Sequence, residues 1–389
     1  MAVVMEKPRT GDGRIRITYV ISAINTEQAG TEGHLLRLIR GLDRTRFAPS
    51  LVVMQRSDWT EQFDDPQVPL HVLDFKSFQR PSDWNVVAKL TEFFRQNGTQ
   101  IAELHFIDAH FAGSMAAKRA RVPVVISCRR DLGHQYGLKG LWLMKLGNRH
   151  ITRFLANAHF VAKAMARLEG IDSSRFEVIH NGIDLAAFDA AKDIAVPTEF
   201  ASRIAGKRVV SFAANLRPVK NPNMFVDAAA LLANRYPDVA FAIMGEGELR
   251  GELERKVDRL GLSERVLFLG SVPGIAPYLR QSHVACLSSH SEGFSNSVVE
   301  YMAAGLPVVV PDVGGLAEAV QDGVTGYVVP PDSVNALADG LSRILDLDEP
   351  QRLRMGELGR QRVEQNFTME RQLIAHQDTY VRELQMVTS

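Results

Sequence analysis

A chain of 389 residues, 46% hydrophobic, 23% charged and formally neutral, has the make-up of a folded globular protein, not a disordered one. Its length exceeds one ordinary core, so two domains are expected. Nucleic-acid binding would need a basic excess that is absent, and no apolar run approaches the roughly 20 residues that span a bilayer.

The N-terminus, MAVVMEKPRTGDGR, lacks the apolar stretch of a signal peptide and reads as a loose tail. Candidate strands then run through 14–21, 50–54, 70–74, 103–107, 123–127 and 176–180, with helical patterns between them at 34–42 and 86–96. From 206 the rhythm restarts in RVVSFAA, VAFAIMG, RVLFLG, HVACLSS and PVVVP. Strands alternating with helices predict parallel sheets covered on both faces, and two rounds predict two doubly wound α/β domains. Each then offers the carboxyl ends of its strands as a binding edge. The expected domains are 1–190 and 191–368, with 369–389 an amphipathic helix crossing back to the first. Cys128 and Cys286, the only cysteines, lie in apolar strand-like runs and are read as buried free thiols. These features together predict a cytoplasmic protein.

In the first domain Gly30 and Thr31 lie just ahead of a helix, where a glycine lets backbone approach a ligand and a helix start favours phosphate. An ordinary turn is the plainer reading. His105 falls inside an apolar run and is expected to be a core histidine, whereas Asp108 and His110 follow that strand at the binding edge. Arg129 and Arg130 end the next strand; they hold an acceptor's anionic group or close a structural salt bridge, and both readings stand. The segment 133–153 is basic and aromatic without an acidic residue. It is read as a helix whose Leu, Met and Trp face the core, with a membrane-facing or lipid-acceptor surface as the alternative. Residues 1–190 carry 25 Lys+Arg against 20 Asp+Glu, leaving 20 against 25 in 191–389, so contact with an anionic membrane belongs to the first half.

In the second domain Arg217 and Lys220 occupy the loop after the first strand, stiffened by Pro218 and Pro222. Two cations there can neutralise a diphosphate leaving group. SHSEGFSNSVVEYMAAGLPVVVP (289–311) holds Glu292 and Glu300 around a turn in which Ser295, Asn296 and Ser297 are candidate helix caps. A phosphate-binding helix start flanked by carboxylates that grip hydroxyls asks for a nucleotide sugar. Two patterns are set aside. MGEGELRG has one residue too many between its later glycines for a dinucleotide fingerprint, and Asp346 with Asp348 closes a helix instead of following a strand.

AGTEGHLLRLIRGL, VIHNGID, NLRPVKN, GEGELRGELE, FLGSVPG, SEGFSNSVVEYMAAGLPVVVPDVGGLAE and DGVTGYVVPPDS, in this order, resemble the retaining glycosyltransferases of family four over nearly the whole chain. The resemblance implies the GT-B fold, two Rossmann-like domains facing a central cleft. It implies that Glu292 contacts hydroxyls of the transferred sugar, Glu300 holds the ribose, and Arg217 and Lys220 bind the diphosphate. Gly30 and Thr31 match a loop closing over the phosphates, Ser295 to Ser297 a turn meeting sugar and phosphate, and Val272 a position against the base. Many members carry a histidine where this chain has Arg129, so His110, Arg129 and Arg130 are the acceptor-side candidates. The expected activity is transfer from a UDP-sugar, favoured over GDP, to a hydroxyl acceptor such as a lipid-linked saccharide, with no metal or other cofactor and with peripheral membrane contact. A GT-B nucleotide-sugar epimerase and a non-catalytic nucleotide-sugar-binding subunit are the alternatives.

Overall fold

The computed structural model describes residues 13–27, 30–133 and 136–388, so most of the N-terminal tail lies outside the described residues. The chain divides into two compact units. One runs to Ile179 and takes in the chain again from Leu373; the other is His180–Gln372.

The first unit holds strands β1 (Ile15–Ile21), β2 (Phe47–Val53), β3 (Leu70–Val72), β4 (Ile101–His105), β5 (Val124–Arg129), β6 (Arg153–Ala156) and β7 (Phe176–Val178). They form one parallel sheet in the order β3-β2-β1-β4-β5-β6-β7. Side chains alternate across it as a two-residue period requires. Ile17, Tyr19 and Ile21 of β1 join one apolar cluster with Leu51 and Val53, while Val20 joins the other with Val52 and Leu104. Helix Gly30–Gly41 covers the first face; helices Val86–Gln96 and Ile107–Ala120 cover the second.

The C-terminal helix Met369–Thr388 enters the first face through Tyr380, which is fully buried. Its hydroxyl donates to Glu103 Oε2 (2.6 Å) and meets the Tyr19 hydroxyl at 3.0 Å. Glu103 Oε1 also pairs with His105 Nε2 (3.0 Å) and accepts the Cys128 thiol (3.4 Å). Glu103, His105 and Cys128 thus bring ligand-type atoms within 4.8 Å of one another, each engaged within this network. Arg153 Nε adds a 2.8 Å bond to Glu383 of the same helix. His105 is the core histidine expected, although its Nδ1 meets no partner among the described residues.

This buried network carries a pH dependence. Burial, then the Arg130 and His105 charges, lower the His376 imidazole from 6.5 to about 4, with Glu103 pulling the other way. Burial disfavours the Glu103 carboxylate, yet the hydrogen bond and charge of His105, with His376 and Tyr380, bring it from 4.5 down to about 2. Between 6.5 and about 4 the folded chain binds fewer protons at His376 than the unfolded chain, so stability falls as pH falls through that window. The Glu103 contribution is present above 4.5 and is lost as pH falls towards about 2. Urea midpoints should therefore decline steadily on acidification from pH 6.5, and His376→Asn should flatten the first part of the decline. A midpoint that held level down to pH 4.5 would contradict this account.

The second unit holds β8 (Arg208–Ala213), β9 (Val239–Met244), β10 (Val266–Gly270), β11 (Val284–Cys286), β12 (Val308–Pro311) and β13 (Gly326–Val329), parallel throughout in the order β10-β9-β8-β11-β12-β13. β6 and β13 were not among the expected strands. Each is a strand of four residues.

Two other expectations change. The division falls at Ile179, ahead of the expected 190, because the next residues are tied to the second unit's closing turn. Ile183 N donates to Phe367 O and Met369 N to Ile183 O (both 2.9 Å), and Arg360 grips Asp189 with two nitrogens at 2.8 and 2.7 Å. In helix Gly137–Gly147, Leu143 and Met144 face the core as expected, but Leu138 and Trp142 point outward.

Candidate functional site

In the second unit the strand order reverses between β8 and β11, the place where an open parallel sheet leaves a crevice beyond its strand ends. The loops after these strands are stitched together there. Ser288 Oγ donates to Asn221 O (2.8 Å), and His290 N donates to Val219 O (2.9 Å). Pro218 opens a 3₁₀ turn ending at Lys220, Asn221 takes a left-handed conformation (φ 45°) and caps helix Pro222–Ala233, and Pro222 fills that helix's first position. The turn delivers Lys220 Nζ to Glu292 Oε1 at 2.6 Å, and Ser289 Oγ donates to the same oxygen at 2.8 Å. Glu292 is buried, Lys220 half-buried and Arg217 exposed at the mouth of the same loop. Sequence-distant residues expected to act on one ligand are therefore adjacent.

Helix Asn296–Ala303 begins directly beyond Glu292. Ser295 is its N-cap, yet the hydroxyl makes no capping bond, which leaves first-turn amides able to meet an anion. Asn296 and Ser297 are the first two helical residues rather than caps, and Asn296 Oδ1 accepts from Asn181 Nδ2 (2.8 Å). Glu300 lies half-buried one turn further in. Tyr301 is buried behind it, and its hydroxyl accepts from Ala213 N (2.6 Å), pinning the helix to the end of β8. Val272 is half-buried just past β10, on the same edge of the sheet.

The sequence reading assigned no role to Asn181 or to the loop after β12. At Gly314 (φ 57°) a Cβ would lie 1.7 Å from the Glu292 carbonyl oxygen, so only glycine lets the loop pass so close. Gly315 N then donates to Gly293 O (2.8 Å), fixing the turn that carries Glu292. A glycine pair just past a β-branched run was the available signal.

The patterns set aside prove structural. Gly245 (φ 141°) leaves no room for a Cβ, which would sit 2.0 Å from Ala214 O, so its glycine serves loop-to-loop packing beside β8. Asp346 accepts Arg235 (2.6 Å) and the Tyr236 hydroxyl (2.8 Å), and Asp348 caps helix Glu349–Asn366 through Gln351 N.

In the first unit the strand order reverses between β1 and β4, and a cavity of about 270 Å³ opens beyond β1, β4 and β5. Thr31, Asp108 and Arg130 are among its lining residues. Gly30 and Thr31 form the first turn of helix Gly30–Gly41 instead of preceding it, and a Cβ at Gly30 would meet nothing within 4 Å. Burial raises the Asp108 carboxyl and draws the Arg130 guanidinium down to about 10.

Arg129 and His110, expected on the acceptor side, are corrected to structural roles. Arg129 is 2% exposed, and its Nε and Nη2 bind the two Glu169 carboxylate oxygens at 2.7 and 2.8 Å. Nη2 also donates to Asn148 Oδ1 (3.0 Å). Arg129 is the last residue of β5 and turns inward, whereas Arg130, just past the strand, lines the cavity. His110 is 1% exposed, held by the Ser127 hydroxyl on Nδ1 (2.8 Å) and by Met144 O on Nε2 (3.1 Å). Burial and the Arg129 charge hold its imidazole well below 6.5, so it is neutral.

Residues 29–182 match a family of glycosyl transferase 4-like domains, and residues 198–362 match glycosyl transferases group 1. The D-inositol 3-phosphate glycosyltransferase of Kribbella flavida is 34% identical over 210 residues, 49% of this chain and 48% of that protein. The one from Mycolicibacterium smegmatis is 34% identical over 203 residues, 50% of this chain and 45% of that protein. The chain thus spans about half the length of the curated relatives it matches. Among solved structures, Anabaena HepE in complex with UDP superposes with a TM-score of 0.81 at 21% identity, covering 95% of this chain and 100% of that one. The lipopolysaccharide outer core galactosyltransferase WaaB, at 13% identity, covers 96% and 98% with a TM-score of 0.73, a likeness of fold. With a glycosyl transferase 4-like domain followed by a group 1 domain, each on its own parallel Rossmann-like sheet, the chain belongs to the family-four type of glycosyltransferases with the GT-B fold.

Proposed function

We propose that the protein transfers a glycosyl group from a nucleoside diphosphate sugar, with UDP as carrier, to an acceptor hydroxyl with retention of configuration. The observation that carries this reading is the Lys220–Glu292 pair at the β8/β11 reversal, beside the uncapped start of helix Asn296–Ala303. Lys220, Arg217 and the helix amides meet the charge of the departing diphosphate, a task that in our reading needs no divalent metal. Glu292 and the turn at Ser295, Asn296 and Ser297 hold the sugar and phosphate, Glu300 the ribose and Val272 the base. The bond from the anomeric carbon to the diphosphate oxygen breaks, and the bond to the acceptor oxygen forms on the same face. The acceptor's proton passes to the leaving phosphate, so no side-chain base is demanded.

Solved neighbours bound to UDP and to UDP-glucose support the choice of carrier. We place the acceptor at the first unit's cavity, with Arg130 and Asp108 as contacts. A lipid-linked saccharide of surface polysaccharide synthesis, met on the cytoplasmic face of a membrane, is the acceptor we propose. No helix among the described residues is long and apolar enough to cross a membrane.

The test is a thermal-shift screen of UDP- and GDP-sugars, followed by product analysis. A donor at 100 times its Kd should add about 2.7 kcal/mol of stability. A UDP-sugar should stabilise the chain, and NMR of the product should show the donor's anomeric configuration with chelator present. Preference for GDP-sugars, inversion, or loss of turnover with chelator would each overturn the corresponding part. Conversion of donor without acceptor would indicate an epimerase. Binding without turnover across an acceptor panel that includes D-inositol 3-phosphate, the compound in the relatives' names, would indicate a binding subunit.

A further inference from the structure

We infer that the face of the first unit built by helices Gly137–Gly147 and His159–Glu169 docks flat on an anionic lipid bilayer. This deepens the membrane encounter proposed above, and its test needs neither donor nor acceptor.

In a chain that is neutral overall, residues 132–168 contain no Asp or Glu but carry Lys139, Lys145, Arg149, Arg153, Lys163 and Arg167. Arg153 is accounted for by Glu383. The other five are exposed, and none makes an ion pair with a described residue. Some surface arginines elsewhere are matched by carboxylates, as in Arg56–Asp74, Arg208–Asp238 and Arg250–Glu254. What sets this stretch apart is an uninterrupted run, 132–168, with cations and no acid at all.

The same face shows apolar side chains. Leu138 is 92% exposed and Trp142 61% exposed, while Leu143 and Met144 on the opposite side of their helix are buried. Leu138, Trp142 and Lys145 fall four and three residues apart, which places them on one stripe of the helix, and Arg149 follows in the 3₁₀ turn at its end. The second helix, packed against the first, adds exposed Phe160 and Leu168 to Lys163 and Arg167. A leucine held almost wholly in water beside an outward tryptophan gains from entering the headgroup boundary, where tryptophan is enriched. Unmatched cations around them are attracted to anionic lipid. A polyanion in solution would engage the cations but draw nothing from Leu138, so the combination favours a bilayer.

The full-length protein should be sedimented with vesicles of phosphatidylcholine, with and without phosphatidylglycerol. Binding should require the anionic lipid and fall steeply with salt. Each cation near the surface contributes about fivefold in partitioning, so Lys139→Glu/Lys145→Glu/Arg149→Glu should weaken binding by about 100-fold or more. Vesicles should shift tryptophan emission to the blue, and Trp142→Phe should abolish the shift while the other two tryptophans remain. Leu138→Ser/Trp142→Ser should weaken binding, whereas Leu231→Ser, an exposed leucine of the second unit, should not. Unchanged circular dichroism and urea midpoints establish that each variant is folded. Equal binding to neutral vesicles, no binding, or wild-type binding by the folded variants would overturn the inference. It also fails if heparin or duplex DNA binds as tightly with no effect of Leu138→Ser/Trp142→Ser. Light scattering that shows a dimer broken by those substitutions would assign the face to a second copy instead.

Discussion

Lys220→Ala should lower the rate of glycosyl transfer by about 100- to 1,000-fold, the usual effect of removing one preorganised group that stabilises developing charge. The expectation rests on where the charge is kept. Lys220 is held by a 2.6 Å bond to a carboxylate that is itself 8% exposed, on a turn fixed by two prolines and a left-handed asparagine. A cation held this way reorganises little when a diphosphate leaves. Glu292→Gln should also be strongly impaired, because the amide loses the charge that holds Lys220 and weakens the grip on sugar hydroxyls. Since the two act as one unit, the double variant should be little worse than the more damaged single variant. The fall should appear in kcat more than in KM, as for an interaction strengthened in the transition state. Transfer within about twofold of wild type for either single variant would remove this pair from the mechanism.

Arg129→Ala should destabilise the protein by about 3–5 kcal/mol, the cost of leaving one member of a buried ion pair without its partner. Among the described residues, Glu169 would keep a fully enclosed carboxylate with Asn148 Nδ2, at 2.7 Å, left to satisfy it. Replacing both charges, as in Arg129→Met/Glu169→Leu, should recover most of the loss, because the desolvation of two ions disappears with them. Arg130→Ala should behave differently. It should leave the urea midpoint close to wild type and raise KM for the acceptor, since Arg130 lines the cavity. If Arg129→Ala kept full stability and raised the acceptor KM instead, the acceptor assignment would return to Arg129.

That neighbouring pair also marks how far local sequence can be read. Ending a strand with two arginines shows that one reaches the sheet edge and one turns to a face, but a shift of a single residue exchanges their roles. His110 posed the same difficulty. Its place after β4 suggested the binding edge, yet the helix Ile107–Ala120 turns it inward, where Ser127 and Met144 take both nitrogens. The donor-side residues were more legible because they sit on loops. Pro218, Pro222 and the SNS turn punctuate the chain, and loop residues at strand ends have few structural tasks to compete with a functional one.

By itself, the sequence determined two rounds of strand and helix, the free cysteines, the cations after β8 and the glutamates after β11. Each of these is written in local periodicity, turn chemistry or charge. Tertiary structure alone decided that Lys220 lies on Glu292, that Gly314 clears a path past the Glu292 carbonyl, and that Tyr380 reaches Glu103 from the far end of the chain. It also decided that Arg129 is a strut and that Leu138 and Trp142 face outward. These are relations between residues on different elements of the chain, from 292 and 314 to 103 and 380, or between the two faces of one element. Strand order and side-chain direction settle them, and neither is encoded in spacing along the chain.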